Sequence, residues 1–239
     1  MARYFCHDNP EVLTLTTEVL RTRPGAVQLA AHPFYPGGGG QLADRGTIAW
    51  EGGTANVAGF ESEGGKTWIT LDAPVQVAGQ VEVTVERKFR QMMRELHTDL
   101  HLLNALVFQH FDGALVTGVQ MNDDGSARID FDLPEADNER LRALEPVIND
   151  MIRQNVAVSE TYMPLDDAID EKGLIRSRSV APPPSPDGTI RIVEIAGIDR
   201  QACGGTHLAS TGASRPVRIL KIDNKGRHNR RIRIGLQGV

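Results

Sequence analysis

His97 and His101 stand four residues apart in His97-Thr-Asp-Leu-His101, and Cys203 and His207 stand four apart in Cys203-Gly-Gly-Thr-His207. On a helix, a spacing of four sends two imidazoles out from one face. They lie about 6 Å apart along the axis, a span that a single zinc with bonds of about 2.1 Å bridges. The second pair flanks glycines instead, and Gly204 and Gly205 let the backbone fold tightly enough for a thiol and an imidazole to converge. Three nitrogens and one sulfur suit zinc rather than magnesium or calcium. Four protein donors can close a structural site, whereas a catalytic zinc keeps one position open. At this point it is open whether His207 or another ligand yields to water or substrate. Thr98 occupies the place that glutamate holds in the HExxH pattern, which disfavours protease chemistry. Asp99 adds a carboxylate between the two histidines, either facing solvent or bonded to a ligand histidine from behind.

The first pair needs a helix. From Glu86 the chain runs to Phe111 without glycine or proline, which predicts one long helix stopping near Gly113. Before it, short segments (Glu11 to Leu20, Gly25 to His32, Arg45 to Glu51, Ala55 to Glu61, Lys66 to Leu71, Gln80 to Val85) are separated by turn residues. They predict a small β-barrel or sandwich over residues 1–87. After the helix, Ala114 to Gln120 and Ala127 to Leu133 read as a β-hairpin. Pro134 opens a second helix carrying Leu141, Leu144, Val147, Ile148, Met151 and Ile152 at helical spacing. Strands are expected at Ala157 to Met163, Thr189 to Ile195, Val217 to Asp223 and Arg230 to Leu236, with a short helix at 166–173 and a surface loop at 181–188. The fold class is α+β: a small N-terminal β-barrel (1–87), then an α+β domain (88–239) with an antiparallel sheet and two long helices.

Composition narrows the setting. The chain has 239 residues, 40% hydrophobic and 24% charged, as expected of a globular protein in water. No apolar run is long enough for a transmembrane helix and the N-terminus lacks a signal-peptide core, so the cytoplasm is expected and no membrane partner. Two cysteines, Cys6 and Cys203, make a disulfide framework improbable. The formal net charge is −5, yet basic residues crowd the tail, where Lys225, Arg227, Arg230 and Arg231 form a hairpin suited to phosphate contact or simply to a solvated strand edge. The run Phe34-Tyr-Pro-Gly-Gly-Gly-Gly-Gln41 lacks the Lys-Ser/Thr ending of a P-loop, so no nucleotide binding is read there. It is either a flexible loop able to reach a neighbouring site or an ordinary long turn.

These motifs together resemble a known family. The pairing of HTDLH with CGGTH is similar to the HxxxH…CxxxH signature of alanyl-tRNA editing domains, both inside alanyl-tRNA synthetase and in free-standing AlaX proteins. FYPGGGGQLADRG resembles the family's glycine-rich loop, with Gly37 where an acidic residue is common and Leu42 in place of proline. The hairpin residues 117–132 and the closing segments IVEIAGIDRQACGGTHLAST and KIDNKGRHNRRIRIGL resemble the family's as well. There is no ATP-binding aminoacylation module, which makes a free-standing editor the closer match.

The resemblance implies zinc held by His97, His101, Cys203 and His207. It implies hydrolysis of the ester in mischarged tRNA(Ala), chiefly Ser-tRNA(Ala) and also Gly-tRNA(Ala). Thr98 and Gln120 are the candidates for substrate recognition, the alternative for Thr98 being a bond to its own helix backbone. Gly38, Gly39, Gly40 and Gln41, with Lys225, Arg227, Arg230 and Arg231, would hold the tRNA acceptor end. Two rivals stand beside this: an editor of another ester such as Ser-tRNA(Thr), and a nucleic-acid-binding module with a structural zinc.

Overall fold

The computed structural model describes residues 3–134, 137–177, 184–185, 187–226 and 228–238. The chain divides into two compact units, residues 1–37 with 43–91, and residues 38–42 with 92–239.

In the first unit a single helical turn, α1 (Phe5–Asp8), precedes six strands: β1 (Thr14–Arg23), β2 (Ala26–Leu29), β3 (Gly46–Trp50), β4 (Gly53–Glu63), β5 (Lys66–Leu71) and β6 (Gln80–Val85). They close into an antiparallel barrel in the order β1-β2-β5-β4-β3-β6, so no strand edge is left open. Alternation explains the inside and outside: along β6, Val81, Val83 and Val85 are buried while Gln80 and Glu82 are exposed. With Val27, Phe34, Ile48 and Ile69 these valines fill the barrel, each burial contributing about 1.5–3 kcal/mol. The glycine-rich segment leaves and rejoins this unit through a charged neck. Asp44 accepts from the Tyr35 backbone N–H at 2.6 Å and from Arg90 Nε at 2.9 Å. Arg90 also donates to the Pro33 carbonyl at 2.7 Å, and both Arg90 and Asp44 are almost wholly buried.

Arg90 lies on α2 (Arg87–His110), the long helix expected from the unbroken run. From Met93 to Val107 every residue of α2 is buried. That stretch includes Arg94, Glu95, His97, Thr98, Asp99, His101 and Asn104, polar groups that burial obliges to find partners. The second unit continues with β7 (Val116–Met121) and β8 (Ser126–Asp132), then α3 (Asn138–Arg142), α4 (Leu144–Arg153), β9 (Val158–Pro164), α5 (Leu165–Asp170), β10 (Thr189–Ile195), β11 (Asp199–Ala202), β12 (Val217–Lys225) and β13 (Asn229–Leu236). Its strands form two antiparallel sheets, β12-β13-β8-β7 and β11-β10-β9.

Two expectations need correction. The second long helix is broken into α3 and α4 at Ala143, and it starts at Asp137, which caps α3 by accepting from the Glu139 N–H, not at Pro134. Pro146 has no N–H to offer a preceding carbonyl, so it is tolerated only in the first turn of a new helix. Strand β11 was not expected; four residues, two of them charged, carry too little β-propensity to stand out. Of the loop expected at 181–188, residues 181–183 and 186 lie outside the described ones.

Candidate metal centre

His97, His101, Cys203 and His207 come together in the second unit, all four buried, with their ligand atoms within 4.8 Å of one another. The histidine pair sits mid-way along α2, where burial on every side fixes its register. Cys203 follows β11 directly, so the β10–β11 hairpin delivers it. Cys203 Sγ lies 3.3 Å from the Nε2 of both His97 and His207, close to the roughly 3.6 Å between nitrogen and sulfur on a tetrahedral zinc. Arg191 of β10 shapes the turn between the two: its Nη1 donates to the carbonyls of Cys203 and Gly205 at 2.9 and 2.8 Å. Arg191 is itself held by Glu160 of β9. Gly205 has to be glycine, because a Cβ there would overlap the His97 ring and fall 2.7 Å from Gln41 Oε1.

Each histidine meets a protein oxygen at Nδ1. His97 Nδ1 lies 2.9 Å from Gln41 Oε1, His101 Nδ1 3.2 Å from Asp199 Oδ2, and His207 Nδ1 3.3 Å from Thr98 Oγ1. Asp199 is anchored in turn by Arg176 at 2.7 Å and by Gln201 Nε2 at 2.6 Å, and Gln201 accepts from Asn104 Nδ2 at 2.9 Å. Partners at Nδ1 orient imidazoles whose Nε2 atoms serve a metal.

Electrostatics favour a thiolate here. Burial pushes the Cys203 thiol up, but the charges of His97, His207 and His101 outweigh it and hold the thiol well below its ordinary range. Burial lowers His101, while the Cys203 thiolate and the Asp199 carboxylate lift it, to about 9. Burial and the charge on His97 hold His207 well below its ordinary value. One thiolate and three imidazole nitrogens, all on buried side chains, are a donor set that fits zinc.

The other expected site residues have varied surroundings. Thr98 is fully buried, and its hydroxyl meets His207 and accepts from the Leu208 N–H at 3.2 Å. Gln120 is exposed on β7; its Oε1 accepts from Arg128 Nε at 3.1 Å and its Nε2 donates to Asn122. Gly38 and Gly39 are exposed, and Gly38 closes a tight turn with Gln41 through paired backbone bonds. Gly40 has a φ of +84°, and its carbonyl accepts from the Met121 N–H at 2.8 Å, which docks the segment on the edge strand β7. Gln41 is buried beside His97. Lys225 is exposed, Arg230 is buried, and Arg231 makes two bonds of 2.7 Å to Asp130. Arg227 lies outside the described residues. Asp99 neither faces solvent nor touches a ligand histidine: it is wholly buried and accepts from Ser214 Oγ at 2.8 Å. The helix turns it roughly 160° away from His97's direction per two residues.

Sequence reasoning missed Asp199 and Arg191. Asp199 stands four residues before Cys203, a spacing that by itself names no partner. Arg191 reads as an outward residue of an alternating strand, and its burial, shared with both neighbours, breaks that alternation.

Residues 190–233 match the family model described as the threonyl and alanyl tRNA synthetase second additional domain. The chain is 34% identical over 211 residues to the alanyl-tRNA editing protein AlaX-M of Methanosarcina barkeri, covering 83% of this chain and 84% of that protein. It is 31% identical over 219 residues to the AlaX-M of Saccharolobus solfataricus, covering 90% of each. With the alanine–tRNA ligase of Korarchaeum cryptofilum it shares 29% identity over 217 residues, 90% of this chain but 24% of the ligase.

Proposed function

The chain belongs to the alanyl-tRNA editing family, and on that premise we propose that it is a zinc-dependent hydrolase of mischarged tRNA(Ala), acting chiefly on Ser-tRNA(Ala) and also on Gly-tRNA(Ala). The observation that carries this reading is the buried quartet His97, His101, Cys203 and His207 in a chain that covers most of the length of free-standing editing proteins. When bound, zinc supplies Lewis acidity toward the ester carbonyl or an activated water at neutral pH. The chain's own groups stand behind that site: Gln41, Thr98 and Asp199 each place an oxygen at the Nδ1 of one of the three imidazoles. Gln120, exposed and braced by Arg128, is the recognition candidate open to a substrate, whereas buried Thr98 would act through His207.

Acceptor-end contact is assigned to the glycine-rich segment 38–41 and to Lys225, Arg227, Arg230 and Arg231. Among the described basic residues of this set, exposed Lys225 is the most available to a phosphate, since Arg230 is buried and Arg231 is tied to Asp130. Editing of this kind is useful because a pocket sized for alanine cannot strongly exclude glycine and rejects serine incompletely. The cytoplasm is where such an activity belongs, and among the described residues no helix is long and apolar enough to cross a membrane.

The test is deacylation of Ser-tRNA(Ala), Gly-tRNA(Ala), Ala-tRNA(Ala) and Ser-tRNA(Thr) by the full chain. Release of serine and glycine from tRNA(Ala), with Ala-tRNA(Ala) spared, is expected. Preference for Ser-tRNA(Thr) would move the assignment to a threonine editor. The four buried donors also match a closed structural zinc, and a zinc-loaded chain inert on all four esters would establish that role instead.

A further inference from the structure

Gln41 is 3% exposed although four glycines precede it. Its Oε1 faces two groups at 2.9 Å, the Thr206 backbone N–H and His97 Nδ1, and its Nε2 donates to Thr206 Oγ1 at 2.8 Å. A backbone N–H can only donate, so the amide atom it meets is the oxygen, and this fixes which way the carboxamide points. That oxygen only accepts, so His97 Nδ1 carries the ring proton and the ring's lone pair sits on Nε2. Nε2 is the nitrogen that faces Cys203 Sγ.

We propose that Gln41 is a positioning residue of the metal centre. It sets the tautomer and ring direction of His97 and, by gripping Thr206, ties the Cys203–His207 turn to helix α2. Two further features support this. Gly205 leaves the space in which the carboxamide and the imidazole meet. Gly40 is fixed to β7 through Met121, and a Cβ there would fall 2.6 Å from the Val119 carbonyl oxygen, so the backbone carrying Gln41 is seated closely. The glycine-rich segment thereby acquires a task inside the protein, alongside any contact with tRNA. This inference rests on the zinc reading of the four donors.

Zinc affinity of the full chain, read by chelator competition, separates a positioning role of Gln41 from a direct action on the substrate. Gln41→Met fills the space without an acceptor and should weaken zinc binding roughly ten- to a hundredfold. Gln41→Glu keeps an oxygen toward His97 and Thr206 and should recover most of that loss. Wild-type affinity in Gln41→Met overturns the proposal, even if deacylation is lost, because Gln41 would then act on the substrate. Should Gln41→Met fail to fold, long-range nitrogen NMR of the His97 ring in the wild-type protein decides. A proton on Nδ1 and metal on Nε2 is expected, and the reverse overturns the assignment. A wild-type chain that takes up no zinc would overturn the zinc reading itself, a result distinct from unchanged affinity in the variant.

Discussion

At Gly205 one methyl group decides whether the four donors can converge. A Cβ would overlap His97 Cε1 and Nδ1, and neither the ring nor the carboxamide behind it is free to retreat, since Gln41 is bonded to Thr206 on both its atoms. Gly205→Ala should therefore lower zinc affinity by more than about tenfold, as loss of an orienting partner does, with the helix content of the chain unchanged by circular dichroism. An alanine variant that holds zinc as tightly as the wild type would refute the packing described. The four donors that converge were legible in the sequence as two pairs, because within each pair the chemistry and the spacing are local. Their Nδ1 partners were not, since Gln41 is 56 positions from His97 and Asp199 is 98 from His101. Distances of that kind are set by the fold, not by a motif. Asp99 shows the same limit from the other side: it stands two residues from both His97 and His101, yet its partner is Ser214, 115 positions away.

Among the elements, the β10–β11 hairpin carries the most consequence for the site, and Arg191 is its fulcrum. A guanidinium 4% exposed holds Glu160 on one side and two carbonyls of the Cys203–His207 turn on the other. Arg191→Met would leave those carbonyls buried without a donor and Glu160 unpaired. Glu160 is partly in water, so its share is modest, and the expected cost is about 2–3 kcal/mol, read as a lower urea midpoint at unchanged slope. A stability loss under about 0.5 kcal/mol, the range of an uninvolved surface residue, would mean that the turn holds its shape without the clamp. The run free of glycine and proline identified α2, and turn residues identified most strands, to within a few residues. Periodicity could not show that α2 is buried on all sides from Met93 to Val107, since the polar residues that make this stretch unusual also hide its apolar stripe. The single helix expected from Pro134 likewise overlooked Pro146, whose missing N–H forces the restart as α4.

At the scale of the molecule, charge is where counting and structure diverge. The tail looked strongly basic, yet Arg231 is paired with Asp130, and Lys221 and Arg233 both approach Asp223, so much of that charge is matched within the sheet. The barrel unit carries a pH response of its own. His32 stacks near Phe34 and Phe60, and burial lowers it to about 4, against smaller upward pulls from the Phe34 backbone and the Asp44 carboxylate. Its ordinary value is about 6.5. Above that pH neither the folded nor the unfolded chain binds a proton at this site, and His32 adds no pH dependence. Between about 6.5 and 4 the unfolded chain takes up a proton that the barrel refuses, so stability falls, by about 3 kcal/mol in all, and levels off once the folded state also protonates. Both tryptophans, Trp50 and Trp68, sit in barrel strands, so their fluorescence reports this unit selectively. His32→Phe should flatten the urea-unfolding curve of stability against pH over that window by close to one proton. Equal slopes in the variant and the wild type would show that the acid sensitivity of the barrel arises elsewhere.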